Sequence, residues 1–227
     1  MTICTVCGGD QFTSRAVLWD SLVAEWQLGP AEREYVDRQQ GKACSTCGAN
    51  LRSIALADAL RGVFCTPLLL KDYVATNDAQ LVRILEINEA GSLSPFLRRM
   101  SRHVLAAYPQ IDMHAMSFPD QQFDVIVHSD TLEHLANPVH ALAECRRVLR
   151  RGGALCFTAP TIVGRMSRTR AGLPRSCHGG GGPSGEDVVV QTEFGADVWC
   201  RVMEAGFTSM TISAVEYPAA LAFTAHA

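Results

Sequence analysis

Residues 117–158 read SFPDQQFDVIVHSDTLEHLANPVHALAECRRVLRRGGALCFT, and this stretch decides the fold. A Phe-Asp pair opens an apolar run at residues 125–127, which is typical of a buried parallel strand. Asn137 and Pro138 then cap a helix whose apolar residues recur at helical spacing. A glycine pair is expected to stop that helix, and a second apolar run follows it up to Pro160. The stretch therefore predicts a strand, a helix and a second strand of one α/β sheet.

The order of these signals resembles the class I S-adenosylmethionine-dependent methyltransferases. Their signature runs from Phe-Asp and an apolar strand, through Leu-Glu-His and a helix, to Arg-Val-Leu-x-x-Gly-Gly. The matching segments here are Phe123-Asp124, Leu132-Glu133-His134 and Arg147-Val148-Leu149 with Gly152-Gly153. The resemblance implies a Rossmann-like α/β domain, S-adenosylmethionine as cofactor and transfer of its methyl group.

A cofactor loop is expected after an earlier apolar run that ends near Ile87. In the resembled family an acidic-x-Gly-x-Gly-x-Gly segment lies there, and its glycines let the backbone approach the cofactor. Glu86 matches the acidic residue, whereas Asn88 and Ala90 replace the first two glycines and Gly91 lies one step out of phase. The resemblance implies cofactor contacts from these four residues, in a turn that departs from the family pattern.

The second strand, at residues 103–108, lacks the acidic residue that holds the cofactor ribose in the family. Tyr108 stands near that place. Asp112 follows so soon that no room is left for the family's next helix and third strand, so the sheet is expected to be shortened. By the resemblance, Asp112 would accept a hydrogen bond from the adenine amino group and Met113 would offer its backbone N–H. The alternative for Asp112 is a carboxylate on a surface turn.

Polar residues follow the strand at 125–127, at the end where ligands bind in open α/β sheets. His128 and Ser129 therefore join the expected cofactor set. His134 is a catalytic candidate, although we expect its main role to be holding the loop by hydrogen bonds. His178 is a candidate general base, because imidazole titrates near neutral pH; an exposed loop histidine is the alternative.

Residues 161–196 are expected to be the part most specific to the substrate. The four glycines at 179–182 predict a flexible lid. Arg165 and Arg175 are candidates for binding a carboxylate or phosphate group of the substrate.

Two matching Cys-x-x-Cys-Gly units lie near the start of the chain. Their cysteines are Cys4, Cys7, Cys44 and Cys47. Two residues between thiolates let both sulfurs reach one ion, and two such knuckles supply four ligands for tetrahedral Zn²⁺. A redox dithiol or a pair of disulfides is the alternative, and disulfides are disfavoured in a chain that shows no secretion signal. Because four thiolates leave no open position on the metal, we expect a structural zinc.

The sequence predicts two parts. Residues 1–65 would form a zinc-binding helical module, with one helix at 16–27 and a second that starts at Pro30. An amphipathic helix at 51–64 would lead into the main domain. Residues 66–227 would form the methyltransferase domain.

Composition indicates which classes of partner the chain can bind. The 227 residues carry a net charge of −3, so the chain has no basic surplus for a phosphate backbone, which argues against nucleic acid. No apolar run reaches the roughly 18 residues that a membrane span needs. We expect a cytoplasmic protein that acts on a small molecule. The oligomeric state stays open, with a homodimer as one option.

The favoured function is methyl transfer to oxygen or nitrogen of a small molecule, for example in secondary-metabolite or saccharide biosynthesis. Three alternatives remain. One is an RNA base methyltransferase, which the acidic charge disfavours. Another is a non-catalytic protein that keeps the fold with a degenerate cofactor loop. The third is an enzyme that uses this fold for other chemistry.

Overall fold

The computed structural model describes residues 2–177 and 188–227. The α-helices in this part are α1 (Asp20–Glu25), α2 (Pro30–Gly41), α3 (Leu51–Val63), α4 (Leu70–Tyr73), α5 (Asn77–Leu81), α6 (Ser94–Leu97), α7 (Pro138–Val148) and α8 (Val198–Glu204). The strands are β1 (Phe12–Ser14), β2 (Lys42–Cys44), β3 (Ile84–Ile87), β4 (His103–Ala106), β5 (Phe123–Ser129), β6 (Leu149–Thr158), β7 (Thr161–Ile162), β8 (Arg168–Thr169), β9 (Thr192–Gly195), β10 (Ser209–Val215) and β11 (Ala220–His226).

The main sheet has the strand order β10-β11-β6-β5-β3-β4. Strands β4, β3, β5 and β6 run parallel, whereas β11 and β10 form an antiparallel hairpin at one edge. Between β4 and β5 the chain forms turns with no further helix or strand. This confirms the Rossmann-like α/β fold with a shortened sheet, because the segment after β4 is too short for another strand-helix unit.

Helices cover both faces of this sheet. The face that carries Val125 and Val127 packs against α3, which also contacts β10 and β11. The opposite face, with Ile126 and Phe157, packs against α7 and α8. The strands are therefore apolar on both faces, as their β-branched runs predict.

The first 50 residues add a smaller unit. Strands β1 and β2 pair antiparallel and lie next to the cysteine knuckles, and α1 and α2 stand between them in sequence. A third sheet, in the order β7-β9-β8, lies beyond the carboxyl end of β6. Among the described residues, none of the helices combines the length and apolar character that crossing a bilayer requires.

Several helix starts follow their sequence signals. The Asn50 side chain accepts from Ser53 N at 2.8 Å at the start of α3, and Asn137 does the same for His140 N at 3.0 Å in α7. Pro30 is the first residue of α2, where its missing N–H costs nothing.

Some predicted boundaries are wrong. The helix expected at 16–27 covers only Asp20–Glu25, because the Val17 and Leu18 N–H groups donate to the Asp37 carboxylate and hold that segment extended. The glycine pair lies inside β6 instead of stopping α7, and Gly152 has a φ of +70° where the strand register shifts.

Helix α3 is more deeply placed than an amphipathic connector would be. Residues 51–57 are all buried, including Arg52 and Ser53. One side of α3 covers the sheet and the other lies under the N-terminal segment, so both faces of its first turns are enclosed.

Candidate functional site

The sheet has its switch point at β3, because the chain leaves this strand to β4 on one side and later returns to β5 on the other. In open α/β sheets, ligands bind at the carboxyl ends of the strands at such a point. The residues predicted to hold a cofactor lie at the carboxyl ends of β3 and β5 and on the loops after β3 and β4, so the fold brings them to one edge of the sheet, the crevice at its switch point.

Glu86 is turned into the protein. Its side chain is fully buried, one oxygen accepts from Ala90 N at 2.8 Å, and the other lies 2.6 Å from His103 Nε2. Burial alone would raise the pKa of this carboxyl, but hydrogen bonds from His103, Ala90 and Ser94 hold it below its usual value. The ionised carboxylate therefore fixes the loop 86–90.

Asn88 bridges the crevice. It has a φ of +52°, which asparagine tolerates better than most residues. Its Oδ1 accepts from Tyr108 N at 3.1 Å, and its Nδ2 donates to Thr131 Oγ1 at 3.3 Å. The side chain thus spans from the end of β4 to the loop after β5, in the space that a glycine would leave open.

The rest of this loop is close to the N-terminal unit. Ala90 is buried, and Gly91, with a φ of +55°, begins a 3₁₀ turn. A Cβ at Gly91 would meet Ser53 Oγ at 3.4 Å, and Ser92 Oγ donates to the carbonyl of Gly48 at 3.3 Å. The start of α3 and the second knuckle therefore form one wall of the crevice.

Of the residues expected to lie near the adenine, some are accessible to a ligand and one is buried. Tyr108 is exposed and Met113 is buried. The Asp112 side chain stays at the surface, where one oxygen accepts from His114 N at 2.8 Å and pairs with His114 Nδ1 at 2.9 Å. The backbone N–H and ring of His114 lower the pKa of this carboxyl, so it stays ionised and can accept a further hydrogen bond.

His128, expected among the cofactor contacts, has its side chain turned into the core. Its ring is fully buried and stacks on Phe157 with centroids 5.2 Å apart, and neither nitrogen has a hydrogen-bond partner in the part of the chain described. The reason is strand alternation: residues 126 and 128 face α7 and α8 rather than the crevice. Ser129 lies at the strand end, and its hydroxyl pairs with Thr158 Oγ1 at 2.8 Å.

The loop after β5 carries two carboxyl groups and His134. Asp130, with a φ of +50°, accepts from Thr158 Oγ1 at 3.3 Å and pairs with Arg52. Burial, together with the charge of Asp130, raises the pKa of the Glu133 carboxyl well above its usual range. His134 Nδ1 lies 3.2 Å from the carbonyl oxygen of Val189. Because a carbonyl only accepts, Nδ1 must carry the proton, and Nε2 is then the basic nitrogen of the neutral ring.

A cavity of about 610 Å³ lies beside Asp130 and His134. Residues between Ala16 and Leu28 form an apolar wall, and Arg15, α2, the start of α3 and the segments after β5 and β6 form the rest. Arg52 lies at the closed end, with its side chain 3% exposed, and also donates to Gln39 Oε1 from Nη2 at 2.9 Å. Sequence reasoning missed Arg52, Gln39 and Asp130 as neighbours, because they come from distant segments and no local pattern marks them.

Arg165, a candidate for binding a substrate carboxylate or phosphate, is already paired within the chain. Its guanidinium donates to Glu32 from Nε at 2.8 Å and to the carbonyl oxygen of Trp26 at 2.8 Å. It therefore ties the segment after β7 to the N-terminal helices. Arg175 is exposed. His178 and the glycines at 179–182, the expected base and lid, lie outside the described residues.

The four cysteines of the two knuckles meet. Their sulfur atoms all lie within 4.8 Å of one another, with Cys4 and Cys47 at 3.6 Å and Cys7 and Cys44 at 3.6 Å. The knuckles repeat one backbone pattern: Gly8 N donates to the carbonyl oxygen of Cys4 at 2.7 Å, and Gly48 N to that of Cys44 at 2.8 Å. Such spacing matches the edges of a tetrahedron built from zinc–sulfur bonds of about 2.3 Å and is far longer than a disulfide bond.

Backbone groups point at these sulfurs. Gly9 N donates to Cys7 Sγ at 3.4 Å. Burial raises the pKa of the Cys4 thiol and raises that of Cys47 to about 11, whereas at Cys44 the N–H groups of Cys47 and Thr46 help outweigh burial and bring the pKa to about 7. The donor set therefore fits a soft divalent cation that binds thiolates.

Comparisons with known proteins agree with this fold. Residues 81–157 match the methyltransferase domain family. A probable S-adenosylmethionine-dependent methyltransferase of Mycolicibacterium smegmatis is 36% identical over 66 residues, which make up 27% of this chain and 26% of that protein. A probable S-adenosylmethionine-dependent methyltransferase of Mycobacterium tuberculosis is 33% identical over 66 residues, 27% of this chain and 24% of that protein. The chain thus spans about a quarter of the length of these curated relatives.

Among solved structures, a SAM-dependent methyltransferase from Aquifex aeolicus has 15% sequence identity and a TM-score of 0.43, covering 76% of this chain and 90% of that one. The sheet order agrees with the match of residues 81–157 to the methyltransferase domain family. The matched residues hold β3, the loop after β3 that is expected to contact a cofactor, β4, β5 and most of β6.

Proposed function

We propose that the chain transfers the methyl group of S-adenosylmethionine to oxygen or nitrogen of a small molecule. The observation that carries this proposal is the cavity of about 610 Å³ at the carboxyl end of β5, next to the crevice where the cofactor residues converge. Its volume lies in the range of small-molecule pockets, roughly 300–1,000 Å³. S-adenosylmethionine, when bound, supplies a methyl group on a positively charged sulfur and leaves as a neutral thioether.

The crevice residues fit this cofactor in part. The surface carboxylate of Asp112 and the turn at Gly91 fit a bound nucleoside and a closely approaching backbone. The Asn88 side chain does not fit a bound cofactor. It fills the position of the first family glycine and must turn aside when the cofactor binds. We assign cofactor contacts to these loops on that basis.

His134 is the proposed general base. The residue lines the cavity, and its Nε2 lies 3.6 Å from the Glu133 carboxyl; we propose that this nitrogen takes the proton from an acceptor hydroxyl or ammonium. His178 stays a second candidate, which the described residues do not test. Positioning is the larger part of the work in such a displacement.

Incubation of the full chain with deuterated-methyl S-adenosylmethionine and candidate acceptors, followed by mass analysis, tests the activity. A labelled product is expected. His134→Asn keeps a donor for the Val189 carbonyl but removes the base, so kcat should fall about 100-fold or more while acceptor binding stays. A variant with unchanged kcat at every pH would remove His134 from the mechanism.

A non-catalytic role is the second candidate, and the Asn88 bridge favours it. Calorimetric titration with S-adenosylhomocysteine separates the two. Absence of binding at millimolar ligand would sink the enzyme proposal. An RNA substrate is a weaker candidate, because the net charge of −3 offers little attraction to phosphate.

We also propose that the four cysteines hold a structural Zn²⁺. Metal analysis of the purified chain should give one equivalent of zinc, and replacement of Cys47 by serine should lower this value. Less than half an equivalent would count against the site. The division at residues 65 and 66, the cytoplasmic location and the oligomeric state stay predictions.

A further inference from the structure

Two tryptophans face the cavity beside β5, of the three in the chain. Trp26 is 7% exposed and is held in place: its indole N–H donates to Ser176 Oγ at 2.8 Å, and the Arg170 guanidinium lies 5.8 Å from its ring centroid. Trp19 lines the same cavity and is 46% exposed. The cavity therefore offers one fixed and one accessible aromatic surface, and aromatic rings pack favourably on such faces.

The remaining wall is aliphatic. Leu22 and Ile162 are buried and line the cavity, together with Leu18 and Val36, which pack on the same core. A ligand that fills this wall must present an apolar body, since an unpaired polar group placed there would lose its hydrogen bonds to water.

The closed end of the cavity is polar but electrically balanced. Arg52 forms an ion pair with Asp130, and its remaining N–H groups are directed to Gln39. Asp130 is the only carboxylate among the described residues that line the cavity. Arg15 lies at the exposed rim, where solvent screens its charge. A charged ligand would therefore have to break the Arg52–Asp130 pair to find a counter-charge.

We propose that this cavity binds an uncharged, ring-bearing acceptor. Its ring stacks on Trp19 and Trp26, and its hydroxyl or amine points to Asp130 and His134. The role of this ligand as methyl acceptor rests on the proposed methyltransferase function. Its binding is inferred from the cavity alone.

Isothermal titration calorimetry on the zinc-loaded full chain tests the chemistry of the site with three probes. They are 2-naphthol, 2-naphthoate and 1-octanol. Binding of 2-naphthol below millimolar concentration is expected, with 2-naphthoate at least 10-fold weaker, because Arg52 is already paired with Asp130 and solvent screens the charge of Arg15 at the rim. Equal binding of the naphthoate would overturn the neutral character, and equal or tighter binding of octanol would overturn the aromatic character.

Two tryptophan variants test whether 2-naphthol binds in this cavity. Trp19→Ala removes the accessible ring and should weaken 2-naphthol binding about 10-fold, a loss of about 1.4 kcal/mol. Trp199→Ala is the matched control: this tryptophan is 50% exposed at the start of α8, outside the cavity lining. Equal affinities of the Trp19 variant and the parent chain would contradict the inference.

Saturating S-adenosylhomocysteine separates this inference from the proposed function. If the acceptor and cofactor sites are distinct, 2-naphthol affinity is kept in its presence; competition between the two would mean that the cavity belongs to the cofactor and would overturn the inference. Binding of 2-naphthol without any methyl transfer supports the inference and counts only against the proposed function. Methylation of other compounds by a chain that binds no aryl probe would sink the inference alone.

Discussion

Asn88 ties together the ends of three strands. Its own N–H donates to the Ala106 carbonyl at 2.8 Å, and its side chain links Tyr108 to Thr131. A cofactor entering the crevice must displace that side chain and so forfeits its hydrogen bonds, each worth about 1 kcal/mol. We therefore expect Asn88 to weaken the binding of a cofactor in this crevice.

Asn88→Gly should raise the affinity for S-adenosylhomocysteine roughly 10-fold, because the bridge no longer has to be broken and glycine adopts the φ of +52° without strain. Calorimetric titration measures the change. Thr131→Val removes the Nδ2 contact, together with the hydrogen bond from the Thr131 hydroxyl to the Ser129 carbonyl, and should give a smaller gain. An affinity that falls in Asn88→Gly would mean that the asparagine itself binds the ligand.

His128 is the residue whose burial makes stability depend on pH. Burial without a hydrogen-bond partner lowers the pKa of its ring to about 3, against a usual value of 6.5. The folded-state pKa is the depressed one, so the fold requires the neutral ring. The stability that the neutral ring confers is complete above pH 6.5 and is lost as the pH falls from 6.5 towards 3.

His128→Phe should therefore raise the free energy of unfolding at pH 7.5 by about 1–2 kcal/mol, since unsatisfied nitrogens no longer lie in the core. The gain should widen at pH 5. Urea unfolding at several pH values measures it. Acid release of a metal from the cysteines affects both chains alike and cancels in the difference. His140→Phe, at an exposed position of α7, should show no such widening; a parallel pH profile for His128→Phe would contradict the argument.

At the scale of elements, the ion pair of Arg165 and Glu32 clamps α2 to the segment after β7. Both side chains are largely buried, at 27% and 20% exposed. The arginine also donates to the carbonyl oxygens of Trp26 and Gln27, which end the turn after α1. The ion pair therefore holds together two segments that line the cavity, α2 and the residues around β7.

Arg165→Gln should lower the free energy of unfolding by about 1–2 kcal/mol, less than for a fully buried pair because solvent screens part of the interaction. Hydrogen exchange should rise at residues 16–29 while β3 and β5 stay protected. Adding Glu32→Gln to Arg165→Gln completes a double-mutant cycle, and purely additive losses would show that the two side chains do not act together.

At the scale of the whole molecule, the local patterns predicted the elements better than their contacts. The strand, helix and strand at 123–158 and the cysteine knuckles follow from periodicity, caps and spacing. The pairing of Arg52 with Asp130 and the burial of α3 could not be predicted, because they depend on packing between segments that no short pattern relates.

The packing of α3 also decides whether the predicted division of the chain gives two independent units. One hydrophobic core contains Cys4 and Cys44 of the knuckles, Leu56 of α3 and Val127 of the sheet. A cut after residue 65 would remove α3 and leave the Val125 and Val127 face of the sheet open to water.

The fragment 66–227 should therefore fail to show a cooperative thermal transition, because the exposed apolar face costs roughly 25 cal/mol per Å². A fragment 49–227 keeps α3 with its Asn50 cap and should fold, at a lower melting temperature than the full chain and without 2-naphthol binding, since residues 15–28 of the cavity wall are gone. Circular dichroism melts and hydrogen exchange compare the three chains. Cooperative unfolding of 66–227 near the melting temperature of the full chain would show that α3 belongs to the N-terminal module and that the boundary at residue 65 is a true domain boundary.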